Sequence, residues 1–100
     1  MRQAQVIPTV EAALKVGETV RVAGIRLTFH RNMSGGGWVA FFPFEDLEGM
    51  LDVTLPPDVY RRSRSALYPG ASPLVIEGTI ERDENTAEPV LKGAKVWRLK

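Results

Sequence analysis

The chain has 100 residues, 44% of them hydrophobic and 25% charged, with a formal net charge of +1. This balance indicates one globular domain with a modest core and excludes a disordered chain, and the charge alone does not argue for a nucleic-acid partner. There are no cysteines, which excludes disulfides, thiolate metal sites and cysteine nucleophiles.

The N-terminal part of the chain predicts a lead-in rather than a membrane or export segment. No apolar run reaches the roughly 18 residues of a membrane span, and the first residues lack the apolar centre of a signal peptide. We therefore expect a cytoplasmic protein with no membrane partner. Residues 1–18 are expected to form a lead-in with a short helical turn over Val10 to Lys15, which Thr9 caps and Gly17 ends, and residues 19–100 the domain itself.

The run TVRVAGIRLTFHR, from Thr19 to Arg31, predicts one long strand because apolar and polar residues alternate along it. Gly24 shifts the phase of this alternation, which indicates a bulge or a sharp bend. Such a bend lets one strand curl a sheet into a barrel. The glycines from Gly35 to Gly37 predict a flexible loop rather than a tight hairpin turn, and they form no phosphate-binding loop because they lead into a strand.

The stretch WVAFFPFEDLEGMLDVTL, from Trp38 to Leu55, predicts two strands that fold back on each other at a Glu-Gly turn. Alternation in the first strand places Phe42 and Phe44 in the core and Phe41 on the opposite face. Asp46 is expected to cap the turn. The residues of the second strand that share the face of Phe41 are Met50, Asp52 and Thr54. A large aromatic side chain on such a polar face requires an explanation.

The rest of the chain predicts one helix followed by two strands. The helix covers DVYRRSRSAL, is expected to be capped by Asp58, and is expected to end at Tyr68-Pro69-Gly70. Gly78 marks a second bend in the first of the two strands. The two strands are Pro73 to Arg82 and Val90 to Leu99, and the acidic loop between them is Asp83 to Glu88.

The order of three strands, one short helix and two strands predicts an all-β fold, a five-stranded barrel of the OB type with the helix between strands 3 and 4. A half-open sandwich is the alternative. Ligands of OB barrels commonly bind on the second and third strands, between the loops after strands one and four. The expected core consists of Val22, Ile25, Leu27, Phe42, Phe44, Leu51, Val53, Leu55, Val75 and Ile80.

The segment from Ala40 to Pro56 has an aromatic residue, then Phe-Glu-Asp-x-x-Gly, then a strand that ends at proline before a helix. It resembles the C-terminal OB domain of the bacterial DNA polymerase III alpha subunit and its error-prone relatives, and the resemblance covers residues 17–99. The wider group includes the anticodon-binding OB domains of class II tRNA synthetases. In those domains the aromatic residue that matches Phe41 stacks on a base, and a glutamine matches Asp52.

Glu45 stands where the synthetases carry arginine, so the chain is more similar to the polymerase group and lacks one cation on the binding face. The catalytic carboxylates of the polymerase lie in another part of that protein and have no counterpart here. The sequence is consistent with an independent small protein and with one domain of a larger protein.

Phe41 is the leading candidate for binding single-stranded nucleic acid, because base stacking requires an exposed ring. The equal alternative is that Phe41 packs under the N-terminal segment or against a partner protein. Trp38 is interpreted as a core or rim residue, and the helix arginines Arg61, Arg62 and Arg64 as a solvated face away from the ligand. The full candidate set is Phe41, Arg26, Arg31, Asn32, Gly36, Asp52 and Thr54.

These features predict a non-catalytic OB module that binds single-stranded nucleic acid weakly and without sequence readout. The resemblance implies DNA, and a role as an accessory to a polymerase or as part of a replication or repair complex. We expect no cofactor and no metal, since His30 is the only histidine. The alternative is a protein adaptor that uses the same face, because Glu45, Asp52 and the acidic loop would repel phosphates.

Overall fold

A computed structural model describes residues 5–68 and 72–99. The strands and helices, in chain order, are α1 Thr9–Ala12, β1 Thr19–Arg26, β2 His30–Ser34, β3 Gly37–Glu45, β4 Met50–Leu55, α2 Pro57–Leu67, β5 Leu74–Arg82 and β6 Pro89–Arg98. Within these ranges no helix has the length and apolar character needed to cross a bilayer.

The strands form one sheet that closes on itself. Their order is β1-β5-β6-β4-β3-β2, and β1 also pairs with β3, which completes the ring. The β4–β6 pairing is parallel and the other strand pairs are antiparallel. β2 pairs with β3 alone among the described strands, so it lies at an open edge. The predicted all-β barrel is confirmed.

The sheet has six strands rather than five because the predicted first strand is interrupted between Arg26 and His30. Up to Gly24 the partners of β1 lie on β5, and from Ile25 onward they lie on β3. This crossing depends on glycine at position 24, because a Cβ there would collide with the carbonyl oxygen of Glu45. The predicted bend at Gly24 is therefore confirmed, but the alternation continues through it without a change of phase.

The bend predicted at Gly78 is also confirmed. The register between β5 and β6 shifts between Glu77 and Gly78. A Cβ at Gly78 would collide with the carbonyl oxygen of Lys92 on the neighbouring strand. The bulge and the close backbone approach together let β5 curve around the barrel.

The core lies inside the ring and beneath α2. Of the ten residues predicted to be core, eight are buried, namely Val22, Phe42, Phe44, Leu51, Val53, Leu55, Val75 and Ile80. The prediction is wrong for Ile25, which is 38% exposed because its pairing with Glu45 places it on the outer face. Leu27 lies beyond the end of β1 and is only half-buried, so it is not a core residue either. From α2, Val59, Tyr60 and Leu67 complete the core.

Three local predictions are wrong. Gly35 and Gly36 form a tight two-residue turn rather than a flexible loop, because Ser34 pairs directly with Gly37, whose φ is +124°. Asp58 does not cap α2, which begins at Pro57 after an extended Pro56. Thr9 is the first residue of α1 rather than its cap. α2 ends at Leu67, and Pro69 and Gly70 of the predicted stop signal lie outside the described residues.

The segment before β1 is bound to the barrel through Asp46. The backbone N–H and the hydroxyl of Thr9 donate to its carboxylate at 2.8 and 2.9 Å. The backbone N–H groups of Glu48 and Gly49 donate to the same carboxylate at 2.9 and 3.0 Å, so the predicted turn cap is confirmed. Partial burial raises the pKa of Asp46, but these four hydrogen bonds outweigh burial and the pKa is lowered overall.

Candidate nucleic-acid interface

Phe41 lies on the outer face of β3, as its alternation with the buried Phe42 predicts. Its cross-strand neighbours are His30 on β2 and Thr54 on β4. The His30 ring stacks on the Phe41 ring with centroids 5.3 Å apart and an interplanar angle of 17°. Phe41 is 37% exposed, so one part of the ring is held by His30 and the rest is open to a ligand.

A cleft of about 560 Å³ adjoins this ring, and we call it the Phe41 cleft. One wall is the outer face of β3 and β4 with His30 beside it, and the other is formed by the end of β5, the β5–β6 loop and the start of β6. The loop is shaped by Asp83, whose carboxylate accepts hydrogen bonds from the N–H groups of Asn85 and Thr86 at 2.7 and 3.1 Å. The lining residues include Pro43, Asp52, Thr54, Glu81, Arg82, Glu84 and Val90.

The Phe41 cleft is acidic. Four carboxylates line it, those of Asp52, Glu81, Asp83 and Glu84. Arg82 also lines it, but its guanidinium donates to the carbonyl oxygen of Ala87 at 3.1 Å and thereby closes the loop. A phosphate group is therefore disfavoured inside the cleft, whereas the N–H groups at the edges of bases can donate to the carboxylates.

The structure brings together only part of the predicted site. Phe41, Asp52 and Thr54 all line the Phe41 cleft. Asn32 is exposed on the same side of β2 as His30, one alternation further along. Gly36 lies at the tip of the β2–β3 turn, where a Cβ would be 3.6 Å from Pro57 at the start of α2. The glycine turn thus borders α2, and the acidic loop is the one that borders the cleft.

Arg26 and Arg31 do not join Phe41. Arg26 pairs with Phe44, so it lies on the inner side of β1. Its guanidinium donates to the carbonyl oxygens of Leu67 and Leu27 at 2.9 and 3.2 Å and lies over the ring of Phe29 at 4.9 Å. Arg26 therefore binds the end of α2 to the barrel.

Arg31 is on the opposite side of β2 from His30, because neighbouring residues of a strand alternate between faces. It pairs with the buried Ala40. Its guanidinium lies 4.4 Å from the centre of the Trp38 ring and donates to the hydroxyl of Tyr60 at 3.2 Å. Arg31 is exposed but faces α2, not the Phe41 cleft.

His30 is the residue that sequence reasoning missed. Its residue type suggests only a catalytic or metal-binding role, and the sequence offers it no second histidine or cysteine. Its role as a stacking partner depends on the His30–Phe41 pairing, and the tight Gly35–Gly36 turn sets that register. The signal in the sequence is the pair Gly35–Gly36, because a two-residue turn at this pair aligns His30 with Phe41 across the two strands. Within residues 5–68 and 72–99, no three His, Asp or Glu side chains are arranged to hold a metal ion.

Solved structures with this architecture are OB-fold domains. Asparaginyl-tRNA synthetase from Pyrococcus horikoshii matches with a TM-score of 0.71 and 18% identity over 98% of this chain. RecG bound to a three-way DNA junction matches with a TM-score of 0.75 and 12% identity over 96% of this chain. The domain has the OB fold. The chain spans 23% of the synthetase chain and 13% of the RecG chain.

An OBody, AM1L10, bound to hen egg-white lysozyme has nearly the same extent as this domain. Its TM-score is 0.72 and its identity 19%, over 100% of this chain and 98% of the OBody chain. No protein-family model matches the sequence, and no curated protein does either. The OB fold is thus confirmed, while the specific likeness to the polymerase III alpha subunit stays a prediction.

Proposed function

We propose that this domain is a non-catalytic module that binds single-stranded nucleic acid, with a base stacked on Phe41. The observation that carries the proposal is the exposed His30–Phe41 pair, 5.3 Å between ring centroids, at the mouth of the Phe41 cleft. An aromatic ring held by a neighbour loses little conformational freedom when a base stacks on it. One stacked base contributes about 1–3 kcal/mol to binding, with little dependence on the base.

The charges of the cleft determine how the strand is oriented on this face. Four carboxylates line the cleft, so the bases face it and the phosphates lie away from it. The exposed Lys92 on β6 pairs with Thr54 and places a cation on the same outer face. We therefore expect weak binding that tolerates many sequences, because stacking supplies most of the free energy.

The choice of DNA and of a replication partner rests on the resemblance of residues 17–99 to the polymerase III alpha OB domain. A cytoplasmic accessory of a polymerase or of a repair complex is the role that agrees with it. The similarity in fold to a RecG that was solved on a DNA junction is compatible with this role.

Fluorescence anisotropy with a labelled single-stranded oligonucleotide tests the proposal. The intact chain should bind at low salt and bind more weakly at moderate salt. Phe41→Ala should weaken binding, while Leu47→Ala should not, because Leu47 is fully exposed at the β3–β4 turn away from the cleft. Equal affinities for Phe41→Ala and Leu47→Ala would refute a stacking role for Phe41.

A protein adaptor is the second candidate function, and the acidity of the Phe41 cleft favours it. Four carboxylates beside an exposed aromatic ring suit a basic partner with an apolar anchor. The OBody bound to lysozyme is an instance of an OB domain in contact with a protein. Absence of oligonucleotide binding at low salt, together with Phe41-dependent binding of a lysine-rich peptide, would support the adaptor.

A further inference from the structure

A second aromatic surface lies on the other side of the β2–β3 hairpin, where the hairpin meets α2. We call it the arginine–tryptophan surface. It consists of Arg31, Met33, Trp38, Arg61, Arg64 and Tyr68, all of which are exposed. None of the functions proposed above uses it.

The hairpin half of this surface is built around Trp38. Met33 is its cross-strand partner and is 63% exposed, and Trp38 itself is 39% exposed. Arg31 covers part of the indole at 4.4 Å and is held there by the hydroxyl of Tyr60. A guanidinium that is stacked in this way keeps N–H groups at its edge free for an anion.

The helix half of the surface is connected to the hairpin half through two tyrosines. The hydroxyls of Tyr60 and Tyr68 are hydrogen-bonded, and Arg64 lies over the Tyr68 ring at 5.8 Å. Burial raises the pKa of Tyr60, but the hydrogen bonds from Tyr68 and Arg31 and the charges of Arg31 and Arg64 lower it overall. Arg31 and Arg64 thus contact the same tyrosine pair, Arg31 through the hydroxyl of Tyr60 and Arg64 through the ring of Tyr68.

The surface is positive. Three of its six residues, Arg31, Arg61 and Arg64, are arginines and none is acidic. The one acid of α2, Asp58, lies 3.8 Å from Arg62, whose guanidinium also donates to the carbonyl oxygen of Ala94 on β6. The five residues of β2 include Arg31 and no acid. This charge is opposite to that of the Phe41 cleft, although the same hairpin contributes to both.

The edge strand β2 connects the two surfaces. His30 and Arg31 are consecutive residues that point to opposite sides of it. All five residues of β2 are exposed, and its outer edge is unpaired among the described strands. A single strand whose base stacks on Phe41 reaches Arg31 by crossing this edge.

We propose that the arginine–tryptophan surface binds the continuation of the nucleic-acid strand, with phosphates on Arg31 and Arg64 and a base against Trp38. This inference rests on the proposed function and deepens it. It commits to a nucleic acid because a strand that starts in the acidic cleft needs a separate cationic surface for its phosphates. An acidic peptide would use the arginines but would have no reason to extend to Phe41.

The test compares two oligothymidylates, of about 4 and about 16 nucleotides, which span the site sizes seen for OB folds. The double change Arg31→Gln and Arg64→Gln should weaken binding of the long oligonucleotide by about tenfold at low salt. It should also lower the magnitude of the slope of log K against log salt by about 1.4, the value for two phosphate contacts on a single strand. The short oligonucleotide should bind the variant as it binds the unmodified chain. Lys15→Gln removes one positive charge elsewhere and serves as the matched control for the single change Arg64→Gln.

Because Arg31 also holds Tyr60, Arg64→Gln is measured alone as well, and thermal unfolding is recorded for each variant. Arg64→Gln alone should reduce the magnitude of the salt slope by about 0.7. If both arginine variants behave like Lys15→Gln while Phe41→Ala weakens both oligonucleotides, the inference is overturned and the proposed function stands. If the arginine variants no longer bind the long oligonucleotide but Phe41→Ala leaves the affinity for both oligonucleotides unchanged, the proposed function fails and the arginine–tryptophan surface alone binds the strand.

A glutamate-rich peptide provides the remaining comparison. If it binds more tightly than the long oligonucleotide and loses that binding in the arginine variants, the surface is a protein-docking site and the inference is overturned. If neither oligonucleotide binds at low salt, the proposed function and this inference both fail.

Discussion

The Phe41 cleft and the arginine–tryptophan surface both present an exposed aromatic ring of β3 with a neighbour stacked on it. In the cleft the ring is Phe41, its neighbour is His30, and carboxylates surround it. On the other surface the ring is Trp38, its neighbour is Arg31, and the adjoining helix α2 carries further arginines. The ring that we propose as the base-stacking site and the arginines that we propose as the phosphate-binding site therefore lie on opposite sides of one hairpin. Affinity from the cleft should depend little on salt, and affinity from the arginines strongly.

Phe44→Ala should have a greater effect than the other variants, because Phe44 belongs to the barrel wall that supports both surfaces. Phe44 is completely buried, three residues from Phe41 on the same strand. Phe44→Ala should lower the free energy of unfolding by about 3–5 kcal/mol, because it leaves a cavity in a small core. Denaturant unfolding followed by circular dichroism measures this, and both surfaces should be lost together. An unchanged denaturation midpoint would show that the Phe44 side chain does not stabilise the core.

Phe41→Ala should act on the cleft alone. It should weaken binding of a short oligonucleotide by about 1–3 kcal/mol, the value for one stacked base. The unfolding midpoint should stay almost unchanged, because Phe41 is 37% exposed and outside the core cluster. Anisotropy titration and thermal unfolding give the two values, with Leu47→Ala as the control. Loss of the fold with retained affinity would mean that Phe41 is structural.

Asp46→Asn tests a carboxylate that stabilises the fold, whereas the carboxylates of the Phe41 cleft are expected to face a ligand. The change should cost about 0.5–2 kcal/mol of stability at neutral pH, because the carboxylate accepts the hydrogen bonds that bind Thr9 and form the turn. The pKa of Asp46 is lowered in the folded state. Its contribution is therefore complete above its unfolded pKa of about 3.9 and is lost as pH falls through the lower folded value.

The pH dependence is measured as the difference in unfolding free energy between the two proteins. That difference should be constant near neutral pH and should begin to shrink below about pH 4, where the carboxylate becomes protonated first in the unfolded wild-type chain. Oligonucleotide affinity at neutral pH should be the same in both proteins. A difference that grows as the solution is acidified would contradict the role assigned to Asp46.

Asp52→Asn should have the weakest effect of these variants, a small increase in affinity for the oligonucleotide. Asp52→Asn should strengthen oligonucleotide binding by less than about 1 kcal/mol, because it removes one negative charge from a solvated cleft. Glu18→Gln, an exposed acid in the N-terminal segment, is the control for net charge. The gain should fade as salt is added. Weaker binding by Asp52→Asn would show that this carboxylate accepts a hydrogen bond from a base.

Several features of the site could be read from local patterns. The outward position of Phe41 follows from its alternation with Phe42 and Phe44, and both of those are buried. The capping of the turn by Asp46 follows from the preference of Asp for accepting nearby backbone N–H groups. The position of α2 is predictable for the same reason, because it depends on neighbours in sequence. The number of strands is not, because the predicted first strand is interrupted between Arg26 and His30.

The partners of the predicted site residues could not be read in this way. The prediction that Arg26 and Arg31 accompany Phe41 treats them as parts of one long strand, but that strand is interrupted after Arg26. The predicted core position of Ile25 requires Gly24 to shift the alternation, but the strand bends there without a shift. In each case the outcome depends on how β1 crosses from β5 to β3, which is a long-range contact.

Local patterns are sufficient to predict the β-strands, the two faces of β3 and the outward position of Phe41, because period-two alternation and turn residues act within a few positions of the chain. Contacts between distant segments place His30 on Phe41, direct Arg31 toward α2 and Trp38, and bring the acidic loop to the border of the cleft. These placements depend on the registers between strands and on the docking of α2. Both are set when distant segments close around a common core, and no local pattern encodes them.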